Sequence, residues 1–99
     1  TMSAETMQEL RDQRKEEAKE TGRKIVNEAA SIFESLGVDV NRVIRLGDPA
    51  DEICDYAEEN NIDMIVLADK GHGGVKRFLL GSISDKVVRH ADTSVLVVK

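Results

Sequence analysis

This sequence predicts an α/β fold with parallel strands, on three observations. Apolar segments of strand length alternate with segments of helical periodicity along most of the chain. The segment Ile62 to Ala68 is nearly all apolar, as expected of a strand covered on both faces. Behind it comes a glycine-bearing loop, and then Gly81-Ser82 opens a helix. Strands that alternate with helices are joined by right-handed crossovers into a parallel sheet.

The first helix is expected from about Ser3 to Leu36, and Gly37 is placed to stop it in the left-handed conformation. Its second half is amphipathic, with Ile25, Val26, Ala29, Ile32, Phe33 and Leu36 at helical spacing. Its first half differs: Glu5 to Glu20 holds six acids and four bases and almost no apolar stripe. Pairs such as Asp12 with Lys15, Glu16 with Lys19 and Glu20 with Lys24 support a solvated helix by tenths of a kcal/mol each. Residues 1–21 are therefore a charged lead-in, helical or partly disordered, to a single domain over residues 1–99.

Val38 to Leu46 is the first strand expected, closed by Gly47-Asp48-Pro49. Asp48 can cap the next helix, and Pro49 suits its first turn. Ala50, Ile53, Cys54 and Ala57 then share one face, and Asn60-Asn61 ends the helix. Ile62 to Ala68 is the second strand. The last helix is expected to bury Ile83, Val87, Val88 and Ala91, and Val95 to Val98 forms a final strand.

The chemistry concentrates where the strand ending at Ala68 meets the helix beginning near Ser82. Glycines let the backbone approach an anion closely. The first N–H groups of a helix lack internal partners and can donate to that anion. The loop carries Lys70, Lys76 and Arg77 against one acid, Asp69, in a chain of net charge -5. The candidate phosphate-binding residues are Ala68, Asp69, Lys70, Gly71, Gly81, Ser82 and Ile83. Each has a plainer reading: Gly71, Gly73 and Gly74 as a turn, Ser82 as a helix cap, His72 as a bystander, the lysines and Arg77 as solvated charge. No Gly-Lys-Ser/Thr follows the glycines, so the loop is not of the Walker type. His72, His90 and Cys54 stand at spacings unrelated to a metal site, and Cys54 reads as a small core residue.

The run from Ala68 to Lys99 resembles the C-terminal signature of the universal stress protein family: Gly-x-x-Gly, nine residues, then Gly-Ser/Thr, a helix and a last apolar strand. Gly71, Gly81 and Ser82 occupy the corresponding positions, and Leu79-Leu80-Gly81-Ser82-Ile83-Ser84-Asp85-Lys86-Val87 and Arg89-His90-Ala91-Asp92 resemble the family's wording. So do Gly47-Asp48-Pro49-Ala50 and Asp63-Met64-Ile65-Val66; the resemblance covers about residues 22–99. Two positions depart: Ala68 stands at the first motif glycine, and Asp69 where a hydroxyl residue is usual. The resemblance implies a Rossmann-like open parallel sheet, homodimers through the strand Val95 to Val98 and, in one branch, binding of ATP with Mg2+. It also implies that this chain lacks the family's N-terminal strand, helix and strand, which carry the nucleoside-side contacts. The phosphates alone of a nucleotide are then expected to be held within these residues. In the family's strand order, the missing strands lie between those matching Val38 to Leu46 and Ile62 to Ala68. Unpaired buried backbone groups at such a gap cost about 1–3 kcal/mol each.

Composition narrows the functional classes. The length suits one small domain, and 40% apolar with 33% charged residues is that of a globular chain. Aromatic residues make up 3%, so stacking platforms for single-stranded nucleic acid are missing, and the acidic balance opposes a general nucleic-acid binder. One cysteine fits a reducing, cytoplasmic compartment. No apolar run approaches the roughly 18 residues of a membrane span, and no signal-peptide pattern is present. The function expected is a nucleotide-responsive regulatory module in stress physiology, with at most slow ATP hydrolysis. The alternative is an ATP-independent dimeric interaction protein, favoured by Ala68 and Asp69. An ATP pyrophosphatase of related fold would carry a Ser-Gly-Gly loop near its first strand, and none occurs.

Overall fold

The computed structural model describes residues 1–69 and 80–99. The chain divides into two compact units, Thr1–Arg45 and Leu46–Lys99, each described by itself.

The first unit is built on one long helix, α1, Ala4–Ser35. Ser3 caps it, accepting from the Thr6 N–H at 3.1 Å, and Glu5 lies in its first turn where the helix dipole favours an acid. Along its charged half the side chains pair locally. Lys19 lies 3.5 Å from Glu16 and Arg23 lies 3.0 Å from Glu20, so Glu20 chooses Arg23 over the expected Lys24. Asp12 accepts from Gln8 Nε2 at 2.9 Å. These exposed pairs contribute tenths of a kcal/mol each.

Gly37 ends α1 at φ +81°. Its N–H reaches the Glu34 carbonyl and the Val38 N–H reaches that of Phe33, the two bonds of a Schellman cap. Most of the apolar stripe of α1 stays open to solvent: Ile25, Ile32, Phe33 and Leu36 are all more than half exposed, while Val26 is half-buried and Ala30 buried. Helical periodicity here marks the helix correctly without marking a core.

Residues 38–46, expected as a strand, form none. A strand is defined by a ladder partner, and among the described residues this segment has no strand beside it. It instead follows α1. Ile44 packs where a Cβ on Gly22 would lie 3.3 Å from its side chain, and Arg42 pairs with Glu34.

The second unit carries the sheet. Gly47 sits at φ +148°, Asp48 caps α2 (Pro49–Glu59) by accepting from the Asp51 N–H at 3.0 Å, and Pro49 opens its first turn. The helix ends at Asn60. Asn61, at φ 51°, takes the left-handed position, and the Ile62 N–H reaches the Ala57 carbonyl at 2.9 Å. Asparagine thus does for α2 what glycine does for α1. Strand β1 (Met64–Ala68), helix α3 (Ser82–His90) and strand β2 (Ser94–Val98) follow. The strands pair in parallel, Met64 opposite Ser94 and Ala68 opposite Val98.

The core consists of Ala50, Ala57, Ile65 and Val87, with Ile53, Cys54, Ile62, Leu67, Ala91 and Val95 packed against it. It lies on one face of the sheet. On the other, Met64, Val66, Leu96 and Val98 are about half exposed, so the two-sided cover expected for β1 is absent among the described residues. On α3 the buried face is Ser84, Val87 and Ala91, whereas Ile83 and Val88 are exposed, contrary to the sequence reading. Among the described residues, no helix is long and apolar enough to cross a membrane.

Candidate functional site

The candidate site lies where β1 ends and α3 begins. Two hydrogen bonds join them. The Gly81 N–H donates to the Asp69 carbonyl at 2.6 Å, and Ser84 Oγ donates to the Ala68 carbonyl at 2.5 Å. The Asp69 N–H in turn donates to the Val98 carbonyl at 2.9 Å, so the ladder with β2 extends to the loop. Ala68, Asp69, Gly81, Ser82 and Ile83 are thus brought to one place. Lys70 and Gly71 lie outside the described residues, as do His72, Gly73, Gly74, Lys76 and Arg77.

The donors need one correction. Gly81 was expected to offer its N–H to phosphate, but that group is spent on Asp69. Gly81 is the N-cap of α3, and its φ of -62° is open to any residue, so glycine serves there by leaving space, not by conformational freedom. Ser82 is the first helical residue, not the cap. α3 has no side-chain cap bond, whereas α1 and α2 are closed by Ser3 and Asp48. Among the described residues, nothing accepts from the N–H groups of Ser82 and Ile83, and both residues are exposed. Two backbone donors, and a residue with a hydroxyl, therefore lie at the positive end of a helix.

Ser84 escaped the sequence reading. It is 4% exposed and ties α3 to the end of β1. The signal was its spacing: Ser84, Val87 and Ala91 fall at i, i+3 and i+7, one helical face.

A charged clasp fixes the other side of α3. Lys86 Nζ lies 3.0 Å from Asp48 Oδ2 and 3.2 Å from Asp51 Oδ1, joining α3 to the first turn of α2. The Asp51 N–H, and then Lys86, hold the Asp48 carboxyl below its ordinary value. Bonds from Asp48 and Asp51 push Lys86 up. The Lys86 charge is thereby committed within the unit.

Burial, assisted by the charges of Asp55, Asp51 and Asp92, pushes the Cys54 thiol up, which disfavours the reactive thiolate. Cys54 lines a cleft of about 320 Å³ with Ile62, Asp92 and Thr93, at the opposite end of the strands from the α3 N-terminus. Thr93 Oγ1 closes that end, 2.9 Å from the carbonyls of Ile62 and Asp63. The cleft has none of the candidate residues. Among the described residues no group of three or more His, Cys, Asp or Glu side chains could hold a metal ion.

Comparison with known proteins places this geometry in context. The family model described as the universal stress protein family matches residues 1–99. A universal stress protein of Methanocaldococcus jannaschii is 37% identical over 81 residues, which are 82% of this chain and 48% of that protein. One from Bacillus subtilis is 34% identical over 88 residues, 89% of this chain and 60% of its own length. A third, from Methanothermobacter thermautotrophicus, is 44% identical over 66 residues, 67% of this chain and 44% of its own length. The chain spans about half the length of the curated relatives it matches. No solved structure matches.

Proposed function

Because the chain belongs to the universal stress protein family, we propose that it serves stress response as an ATP-binding regulatory module, its part being to hold the nucleotide's phosphates at the N-terminus of α3. One observation carries this reading: the helix begins at a glycine with no side-chain cap, and the N–H groups of Ser82 and Ile83 have no acceptor among the described residues. Backbone donors at a helix N-terminus suit phosphate oxygens, and the Ser82 hydroxyl adds a third donor. The tether from Ser84 to Ala68 holds these donors at the strand end without drawing on them.

Titration calorimetry with ATP and magnesium tests it. Gly81→Val places a branched side chain where the phosphate would approach while keeping the Gly81 N–H bond to Asp69. Its affinity should fall by about tenfold or more, with helix content intact. Equal affinity in Gly81→Val and the parent overturns the reading.

A second reading, an ATP-independent dimeric module, is favoured by the sheet. Among the described residues β2 pairs on one edge, with β1, and Leu96 and Val98 are about half exposed. An open apolar edge strand is a template for a second copy. Val97 lies on the partly covered side and Leu96 on the open one, so Leu96→Lys is the probe of self-association through Val95 to Val98. Sedimentation should show a dimer that Leu96→Lys weakens. A monomer at roughly tens of micromolar counts against it.

A further inference from the structure

We propose that α1 pairs with α1 of a second copy of this chain, antiparallel and crossing at Asn27, through an interface separate from the edge of β2. α1 carries two apolar faces. The face of Gly22, Val26 and Ala30 is already occupied: a Cβ on Gly22 would lie 3.3 Å from Ile44, Val26 is half-buried and Ala30 is buried. The face of Ala18, Ile25, Ala29, Ile32 and Leu36 is exposed along its length. Ala18 stands seven residues before Ile25, and the steps from Ile25 to Ala29, Ile32 and Leu36 are four, three and four. That is the heptad seam along which one helix winds on another.

The order of large and small residues along the seam selects a second copy as its occupant. With two copies antiparallel about Asn27, Ile25 lies opposite the partner's Ala29 and Leu36 opposite the partner's Ala18. Ile32 lies opposite the partner's Gly22, beside which Ile44 packs. Each large side chain of the seam thus meets a small residue, as close packing between helices requires. The same register lays apolar half on apolar half and leaves residues 4–17, the charged part of the helix, in water. A parallel pair does neither. It sets Arg11, seven residues before Ala18 on the same seam, against its own copy, and it leaves alanine facing alanine across a gap at Ala29. The seam from Ala18 to Leu36 is about 27 Å long. Two copies bury on the order of 1,000 Å², the low end for a specific interface, so Kd is about 100 µM. At low micromolar concentration α1 is therefore single.

Sedimentation equilibrium of the full chain carrying Leu96→Lys, which leaves α1 untouched, isolates this interface from the strand edge. Up to about 500 µM it should show monomer and dimer in exchange. Ala29→Ile sets a large residue against the partner's Ile25, and Ile25→Ala opens a hole there. Each should weaken pairing about tenfold, and the two together should restore it to within about threefold. Both positions are exposed, so helix content by circular dichroism should not change. Glu28 flanks the crossing point beside its own copy, so Glu28→Gln should tighten pairing about twofold or more by removing repulsion. A monomer across the whole range overturns the inference. So does pairing that Ala29→Ile strengthens, which is the response of a parallel pair, or a double variant that is not restored. Pairing that Glu28→Gln leaves unchanged overturns the register even if the other variants fail to fold.

Discussion

The two units of this chain are held together by different physics. In residues 1–45, α1 is a long helix sustained by what lies within a turn or two: the Ser3 cap, the Glu16–Lys19 and Glu20–Arg23 pairs, and the Schellman bonds at Gly37. Its large apolar side chains contribute little, since Ile25, Ile32, Phe33 and Leu36 remain in solvent, and the one that is fully buried, Ala30, is small. In residues 46–99, two short helices and two short strands are held by burial around Ile65 and Val87. A helix supported by neighbours in sequence frays turn by turn, whereas a packed unit opens as a whole. The candidate site sits in the packed unit, on the helix whose buried face includes its own tether, Ser84.

The sharpest test of the contrast is Val87, which is fully buried. Val87→Ala removes two methyl groups from the centre of the packed unit and should cost about 2–3 kcal/mol. Hydrogen exchange should then accelerate across α2, α3, β1 and β2 together, while the amides of α1 keep the parent's rates. Uniform acceleration through α1 would break the contrast.

Gly47 comes next. At φ +148° it occupies backbone space that L residues rarely adopt, and a Cβ there would meet Glu52 at 2.9 Å. Gly47→Ala should destabilise by about 1–3 kcal/mol, read as a lower urea midpoint. The loss should appear in α2 and leave α1 unaffected.

Most of the fold was legible because its signals are local. Ser3, Gly37, Asp48, Pro49 and Asn61 stand at helix ends and act there as their backbone chemistry dictates. The strands 64–68 and 94–98 were legible from continuous apolar runs. What escaped depends on partners distant in sequence. Residues 38–46 have strand composition but, among the described residues, no neighbouring strand. Val66 and Leu96 are as apolar as Ile65 and Val95, yet among the described residues only the latter pack into the core. At the site, the Gly81-Ser82 helix start was legible from spacing. The loss of the Gly81 donor to Asp69 was not, since that bond spans the loop. Ser84 was passed over because a polar side chain on a buried face gives no apolar signal.

The clasp between α2 and α3 gives a smaller, pH-dependent effect. Asp48 is held below its ordinary 3.8 by the Asp51 N–H and then by Lys86. Its contribution is present above that value and fades as pH falls through the lowered one. Lys86 is raised above its ordinary 10.5, so its contribution is complete below that value and is lost as pH rises through the raised one. The difference in urea midpoint between the parent and Lys86→Met should therefore be flat from about pH 5 to 9 and shrink on both sides. It should also be small and reduced by salt, because all three side chains are largely exposed. A difference that survives unchanged in strong acid would mean that Lys86 acts through its stem and not its charge.

The smallest effect is expected on the apolar stripe of α1. Ile32 is 63% exposed and Leu36 is 74% exposed, so truncating either removes little buried area. Ile32→Ala should change the unfolding free energy by about 0.5 kcal/mol or less, and alanine's better helix propensity partly offsets even that. A loss of more than about 1 kcal/mol would show that the stripe is covered in solution. Repeating the measurement at protein concentrations about tenfold apart then separates the causes, because cover supplied by a second chain makes stability depend on concentration. A loss that is large and the same at both concentrations would place the cover within the chain. The first unit would then be held by burial as the second is, and the contrast between them would fall.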